Sequence, residues 1–339
     1  MPELSPEEQL NIARGHLERV QVAWYDPVDW ADLSNYGLYA LEAGVMAAAR
    51  ETGLAVKATH WAKAAAAGEL AEAHDLDDVS DLMARLNEAR KAANYGDIEM
   101  TDGTACEKRL DSLIEAWPTS ETRRRATQVI AGLCESDSVI AVVVFGSAVR
   151  KAVCSFDLDV LYVYAGSKPE VPGPTFEIDL RGYSAPSVEP LIAEGHDLLC
   201  WSVRYGRCVC EKRGYWSELT TRWIDRVPLP SADKARHRAD KARSLYKDTL
   251  AIGDVDAALE QYVTYLTHEA RARLVDAGVF PASRPELLAQ LESAGASLLA
   301  RELRGALHRR NVRANGGDKR THQYLLAVLA RLSAPASAA

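Results

Sequence analysis

The side chains best suited to chemistry lie around two apolar runs in the middle of the chain. Gly146 and Ser147 follow the first run directly, and Asp157 and Asp159 stand at the start of the second. Because side chains alternate along a strand, the two aspartates point to one face, ~7 Å apart. Two carboxylates this close repel each other unless a cation lies between them, and Mg²⁺ binds such carboxylates together with water and substrate phosphates. The pair therefore predicts a magnesium site.

Gly146 and Ser147 also suit the binding of a phosphate. Glycine allows a tight turn and lets a phosphate approach the backbone closely. The Ser147 hydroxyl and the amides at the start of a following helix are donors that can bind an anion. Arg150 and Ser155 follow in the same segment and are further candidate nucleotide ligands. A solvated position on a helix face remains open for Arg150.

A site with two metal ions needs a third acid, and a later strand-like run offers two. Glu177 and Asp179 are separated by one residue, so they share a face of the predicted strand. We predict Asp179 as the third metal ligand or as the general base for an acceptor hydroxyl, with Glu177 as the alternative. Arg181 either binds a substrate phosphate or pairs with Glu177.

A sheet must position these residues, and the sequence pattern predicts one. Short β-branched or alternating runs predict strands over 139–145, 158–164 and 175–180. A helix is predicted over 119–133, and the run from Leu199 to Gly206 is predicted as a further core strand. The predicted fold class is α+β, with a sheet core between N-terminal and C-terminal helical bundles.

The predicted domain limits follow the changes in this pattern. They are an N-terminal helical domain over 1–100, a linker over 101–118, the sheet domain over 119–228, a C-terminal helical domain over 229–332 and a disordered tail over 333–339.

The composition is that of a globular protein. Of the 339 residues, 47% are hydrophobic and 26% charged, which excludes wholesale disorder and fibrous repeats. No apolar run approaches the ~18–20 residues that span a bilayer, and the acidic start lacks a signal-peptide pattern, so no membrane partner is expected. The net charge of −8 argues against a large sequence-independent nucleic-acid surface.

The cysteines indicate neither a metal site nor a disulfide framework. There are six, and none forms a Cys-x-x-Cys pair, so a reducing cytoplasm is the expected location. Cys208 and Cys210 alternate in a strand-like stretch, which predicts that they share a face, and we interpret them as packing thiols.

The middle of the chain resembles the polymerase-β-type nucleotidyltransferase superfamily, and within it the minimal and antibiotic-type bacterial enzymes. The signature of that superfamily is a strand, Gly-Ser, a helix, a strand with Asp-x-Asp, and an acid on a later strand. The resemblance implies that Gly146 and Ser147 hold a triphosphate. It also implies that Asp157, Asp159 and Asp179 bind Mg²⁺, and it implies a mixed sheet.

The resemblance covers about residues 119–225, with two departures. Many members have a glycine after the arginine of the helix, whereas Arg150 is followed by Lys151. Many also have a serine directly before the first aspartate, whereas Phe156 intervenes here. The acids of the motif are present.

The flanking helical segments resemble HEPN-type domains, which accompany many small nucleotidyltransferases. The resemblance lies in the sequences from Leu86 to Gly96, from Ala270 to Val279 and from Ser283 to Leu291. Ribonuclease members of that family carry an arginine followed by a histidine, a spacing that Arg301 and His308 approach.

Together these features predict a Mg²⁺-dependent enzyme that transfers a nucleoside monophosphate and releases pyrophosphate. The resemblance implies two Mg²⁺ ions and an NTP donor, with AMP from ATP as the expected case. The acceptor is a hydroxyl of a small molecule, a protein or an RNA end, and the acidic balance favours the first two. The Ala- and Leu-rich helix faces suit a homodimer.

Two other function classes stay open. One is a non-catalytic nucleotide-binding regulator or toxin–antitoxin-like module, and the other is an HEPN-type ribonuclease that uses Arg301 and His308.

Overall fold

The computed structural model describes residues 4–23, 29–74, 76–95, 120–146, 149, 158–171, 178–314 and 321–333. The predicted linker over 101–118 lies outside this description, as do residues 334–339 of the predicted tail, whereas Ser333 is described as the last residue of a helix.

The helices of the described residues are α1 (Pro6–Ala23), α2 (Trp30–Thr52), α3 (His60–His74), α4 (Ser80–Tyr95), α5 (Ser120–Glu135), α6 (Ala185–Ala193), α7 (Asp197–Tyr205), α8 (Tyr215–Trp223), α9 (Ala232–Ile252), α10 (Val255–Asp276), α11 (Arg284–Ser293), α12 (Ser297–Ala314) and α13 (Thr321–Ser333). The strands are β1 (Val139–Phe145), β2 (Leu158–Tyr164), β3 (Ile178–Ser184) and β4 (Arg207–Glu211).

The four strands form one mixed sheet in the order β3-β2-β1-β4. β1 pairs antiparallel with β2 and β4, whereas β2 and β3 are parallel. The α+β class with a mixed sheet and helical segments before and after it is therefore confirmed. β1 and β2 have the predicted limits, because β-branched runs pack well on a pleated surface. β3 extends beyond the predicted strand to Ser184, and residues 175–177 are not among those described.

Helices cover both faces of the sheet. On the first face, Ile130 and Leu133 of α5 pack in one core with Val144 and Val160 of β1 and β2. This core consists of apolar side chains, so the burial of α5 against the sheet is driven by the hydrophobic effect.

The second face carries α6, α7 and α8. Val188, Leu199 and Leu219 of these helices pack in one core with Leu161 of β2. Asp159 stands two residues before Leu161, so alternation along the strand puts it on this second face. Asp159 therefore shares a face with these three helices.

The strand predicted over Leu199–Gly206 is wrong, because this segment forms α7 and only the next residues form β4. The side chain of His196 caps α7 by accepting a hydrogen bond from the amide of Leu199 at 3.4 Å. Leu198, Leu199 and Val203 are buried, which is the spacing of one helix face. The cap and this apolar face outweigh the β propensity of the individual residues.

Cys208 and Cys210 also differ from the prediction. A bulge in the β1–β4 pair lies between their partners, so Cys210 packs toward the first core and Cys208 toward the second. Cys210 is not a free thiol, because it forms a disulfide with Cys134 at the end of α5, with Cα atoms 6.1 Å apart. The interpretation as a packing thiol is therefore wrong for Cys210, whereas Cys208 is a free cysteine.

The chain divides into two compact units. The first comprises Met1–Arg90, Asp233–Arg273 and Leu291–Ala339, and the second comprises Lys91–Ala232 and Leu274–Gln290. Helices from both ends of the chain belong to the first unit, whereas the sheet belongs to the second. The domain limits drawn from the sequence stay a prediction.

The first unit contains a buried charged cluster on α2 and α3. Glu42 and Lys63 are both buried, and Lys63 Nζ donates to Glu42 Oε2 at 2.9 Å. The other oxygen of Glu42 pairs with His60 Nδ1. Burial by itself raises the pKa of the Glu42 carboxyl, but the charges and hydrogen bonds of His60 and Lys63 outweigh it. The pKa of Glu42 therefore lies well below its ordinary value of 4.5.

None of the helices in the described part of the chain has the length and apolar character needed to cross a membrane.

The first prediction concerns this cluster. Glu42→Gln leaves Lys63 buried without its carboxylate, so we expect the free energy of unfolding to fall by about 3–5 kcal/mol. Because the pKa of Glu42 is lowered by folding, its contribution is present above the unfolded value and is lost as the pH falls toward the folded value. Urea unfolding at about pH 6 and about pH 3 should show a smaller pH dependence in Glu42→Gln than in the wild type.

Glu51→Gln is the matched control, since Glu51 is an exposed residue of the same helix. An equal loss in both variants, or an unchanged pH dependence in Glu42→Gln, contradicts the prediction.

The second prediction concerns the disulfide. The bond joins residues 76 positions apart, so its loss should cost about 2–5 kcal/mol. Cys134→Ser, Cys210→Ser and the double variant should lose the same free energy of unfolding, and reductant should destabilise the wild type but none of these three variants. Cys208→Ser, which leaves the bond intact, should remain sensitive to reductant. Additive losses in the two single variants would show that the bond does not form.

Candidate active site

β1 ends at Phe145, and the chain turns sharply at the next residue, Gly146. The φ angle of Gly146 is +72°, in the left-handed region that favours glycine. A Cβ atom added there would lie 2.8 Å from Cγ of Asp159 and would overlap its Oδ2. The Asp159 carboxylate therefore lies directly against the backbone of this turn, and only glycine leaves room for it.

The pairing of the strands explains this contact. Phe145 and Asp159 are direct partners in the antiparallel β1–β2 pair, so Asp159 stands opposite the last residue before the turn. Gly146, which has no side chain, extends beyond this pair. The room that glycine leaves at this turn is filled by the Asp159 carboxylate.

A second acid stands beside the first. Asp159 and Asp179 are direct partners in the parallel β2–β3 pair. Neighbouring strands lie ~4.8 Å apart, and paired residues point to one face, so the structure brings these two predicted site residues together. Asp179 is 4% exposed, and its carboxylate is therefore almost removed from water.

Two basic side chains compensate the charge of Asp179. Nη2 of Arg181 lies 2.9 Å from Asp179 Oδ1, and Nζ of Lys91 lies 3.5 Å from Oδ2. Arg181 is two residues after Asp179 in β3, so both side chains are on one face. A buried carboxylate is costly unless it is paired, and here each oxygen has a cation.

The donor set fits Mg²⁺. This ion prefers carboxylate oxygens from one or two side chains, with water and substrate phosphates in the remaining positions. Asp159 offers such oxygens against the backbone of Gly146, and Asp179 lies on the same face with each oxygen facing a basic side chain. Among the described residues, no three His, Cys, Asp or Glu side chains are placed to hold a metal ion, and Asp157 and Glu177 are not in that set.

The remaining predicted site residues divide into two groups. Those that lie outside the described residues are Ser147, Arg150, Ser155, Asp157 and Glu177. Arg181 lies at the site, where it pairs with Asp179. Lys91 was not predicted, because it belongs to a helix far away in the sequence and no local pattern connects it to β3.

Comparisons with known proteins add little to this geometry. No protein-family model and no curated protein matches the chain. One solved structure that matches is a nucleotidyltransferase-like protein from Exiguobacterium sibiricum, with 12% sequence identity and a TM-score of 0.25. The match covers 63% of this chain and 80% of that one. A TM-score this low supports no inference, so the functional assignment depends on the residues themselves.

The third prediction tests the contact between Gly146 and Asp159. Gly146→Ala adds a Cβ that collides with the carboxylate, whereas Gly166→Ala adds one where nothing lies within 4 Å. Both glycines have positive φ, +72° and +76°, so the backbone cost of about 1–2 kcal/mol is shared. Urea unfolding should show an additional loss of about 1–3 kcal/mol in Gly146→Ala only. Equal losses would mean that Asp159 does not pack on the turn.

Proposed function

We propose that the protein is a Mg²⁺-dependent nucleotidyltransferase. The observation that carries the proposal is the contact of Asp159 with the Gly146 turn, together with its direct pairing to Asp179 on the neighbouring strand. The contact supports a role for the Asp159 carboxylate in holding a metal ion and for the adjoining backbone in binding a phosphate. The sequence motif supports the same assignment, through the Gly-Ser pair and the Asp-x-Asp pair that it contains.

The nucleotide would be held by its triphosphate. The backbone of Gly146, with the Ser147 hydroxyl and the following amides, would bind the β- and γ-phosphates. Arg150 and Ser155 are further proposed ligands of the nucleotide. Binding the phosphates at a fixed turn orients the α-phosphorus for in-line attack, and positioning of this kind supplies much of the rate in phosphoryl transfer.

The acids would hold Mg²⁺, with Asp157 and Asp159 as the proposed main ligands. The ion, when bound, supplies positive charge that offsets the charge developing on the phosphates. Asp179 is proposed either as a further ligand or as the general base that accepts the proton of the acceptor hydroxyl, a role that requires hydrogen-bond distance to that hydroxyl. Glu177 is the alternative for either role.

The finer parts of the proposal concern donor, acceptor and location. We propose ATP as the donor and transfer of AMP to a hydroxyl of a small molecule or a protein. The net charge of −8 supports a cationic acceptor over long RNA. The cytoplasm is the proposed location because NTP donors are found there. Disulfides are rare in that compartment, so the oxidation state of Cys134 and Cys210 in intact cells tests this location directly.

The two other function classes make different predictions. A nucleotide-binding regulator would bind the NTP at the same acids but release no pyrophosphate. A ribonuclease of HEPN type would cleave RNA without added metal and would depend on Arg301 and His308, which are both exposed on α12. No observation in the described residues favours either class over transfer.

The fourth prediction tests the activity. The full chain is incubated with Mg²⁺ and each NTP in a cell extract, and pyrophosphate release and mass gains of one nucleotide are measured. Asp159→Asn should reduce release by at least about 100-fold, because it removes a charged metal ligand. Asp137→Asn, at an exposed position in the same unit, should keep full activity.

Nucleotide binding without release of pyrophosphate would favour the regulator. Full activity of Asp159→Asn would remove the acid pair from the proposed mechanism.

A further inference from the structure

We infer that Arg181 and Lys91 take the place of one of the two metal ions, so that the protein binds a single divalent ion. The inference rests on the proposed function and concerns the same acids. It departs from the two ions that the resemblance implies. Its basis is the arrangement of two fixed cations around Asp179.

Both carboxylate oxygens of Asp179 already face a positive charge. The Arg181 guanidinium is 2.9 Å from Oδ1, and the Lys91 ammonium is 3.5 Å from Oδ2. The side chains of Asp179 and Arg181 are each 2% exposed. A Mg²⁺ ion lies about 2.1 Å from the oxygen that binds it, so a second ion on Asp179 would stand next to a buried like charge. Repulsion between them is screened little at such depth.

The position of Arg181 beside Asp179 is fixed by the packing of β3. Arg181 lies in the interior of β3, paired with Leu161 of β2, and it is buried. The next residue, Gly182, lies so close to the Tyr162 ring that an added Cβ would be 2.7 Å from Cε2. The strand is therefore packed tightly against its neighbour at this point, which fixes the backbone that carries the guanidinium.

The formal charges of the four described side chains at the site are consistent with a single ion. Asp159 and Asp179 carry two negative charges, and Arg181 and Lys91 carry two positive charges, so the four sum to zero. One Mg²⁺ that binds together with a triphosphate adds a cation along with the negative charges of the phosphates. A second Mg²⁺ on Asp179 would add two positive charges beside the two cations that this carboxylate already faces.

Arg181 is accordingly a positioning residue that acts through Asp179. Its ion pair keeps a positive charge 2.9 Å from the Asp179 carboxylate, and this charge replaces the one that a second ion gives in two-metal sites. A planar guanidinium suits this role because its donors are fixed in space and its charge is permanent.

The experiment counts metal ions instead of measuring turnover. Mn²⁺ binding to the full chain is titrated by electron paramagnetic resonance, with an ATP analogue that has a methylene group between the α- and β-phosphorus. We expect about one Mn²⁺ per chain in the ternary complex of the wild type, against about two in two-metal sites. Asp159→Asn should weaken Mn²⁺ binding at least about tenfold, whereas Asp179→Asn should change it less than about threefold.

Variants of Arg181 provide the decisive comparison. Arg181→Met exposes Asp179 to a metal ion, so the stoichiometry should rise to about two. Arg181→Lys keeps the charge and should stay at about one. The double variant Asp179→Asn/Arg181→Met removes both buried charges, so it avoids an uncompensated charge and should fold even if a single variant does not. We expect about one Mn²⁺ there as well.

The outcomes separate the inference from the proposed function. About two Mn²⁺ ions on the wild type, or the loss of an ion in Asp179→Asn or in the double variant, would overturn the inference and leave the proposed transferase standing. A stoichiometry of about one in a folded Arg181→Met variant would also overturn it. If neither nucleotide nor Mn²⁺ binds to the wild type, both fail.

Discussion

The contact of one carboxylate with one glycine sets the geometry of the candidate site. Asp159 lies against the backbone of Gly146, and no other residue type at position 146 would leave room for it. The register of β1 and β2 produces this contact, because Asp159 pairs with Phe145 at the end of the first strand. A shift of that register by one residue would turn Asp159 into the opposite core. The buried β-branched runs therefore fix the site as well as the sheet.

Charge is the second constraint, and it acts across the parallel β2–β3 pair. Direct pairing puts Asp159 and Asp179 on one face, where two carboxylates raise each other's energy. The protein offsets the charge of Asp179 with Arg181 and Lys91, which face its two oxygens. The sheet thus holds an ion cluster around Asp179 on β3, with Asp159 beside it on β2 and against the Gly146 backbone.

Local sequence patterns predicted the parts of this arrangement that depend on local structure. β1 and β2 were predictable because their runs are apolar, β-branched and bounded by turn residues. The same reasoning failed at α7, where a histidine cap and an apolar helix face decide the structure. It failed at Cys208 and Cys210 because a bulge changes which face each side chain takes. The role of Lys91 could not be predicted, because an ion pair between segments that are distant in the sequence leaves no local pattern.

The desolvation free energy of the Asp179–Arg181 ion pair in β3 also bears on function. Burying two charged groups costs hydration free energy, and their mutual attraction compensates for only part of it. Apolar residues at positions 179 and 181 would therefore stabilise the sheet at least as well. Leu180, between them, fills the other face in that way. A charged pair at this point is understandable if Asp159 on the next strand must bind a cation with a polyphosphate. Fixed positive charge beside it then limits the repulsion between the acids and the incoming phosphates, while the rigid strand keeps that charge in place before any ligand arrives.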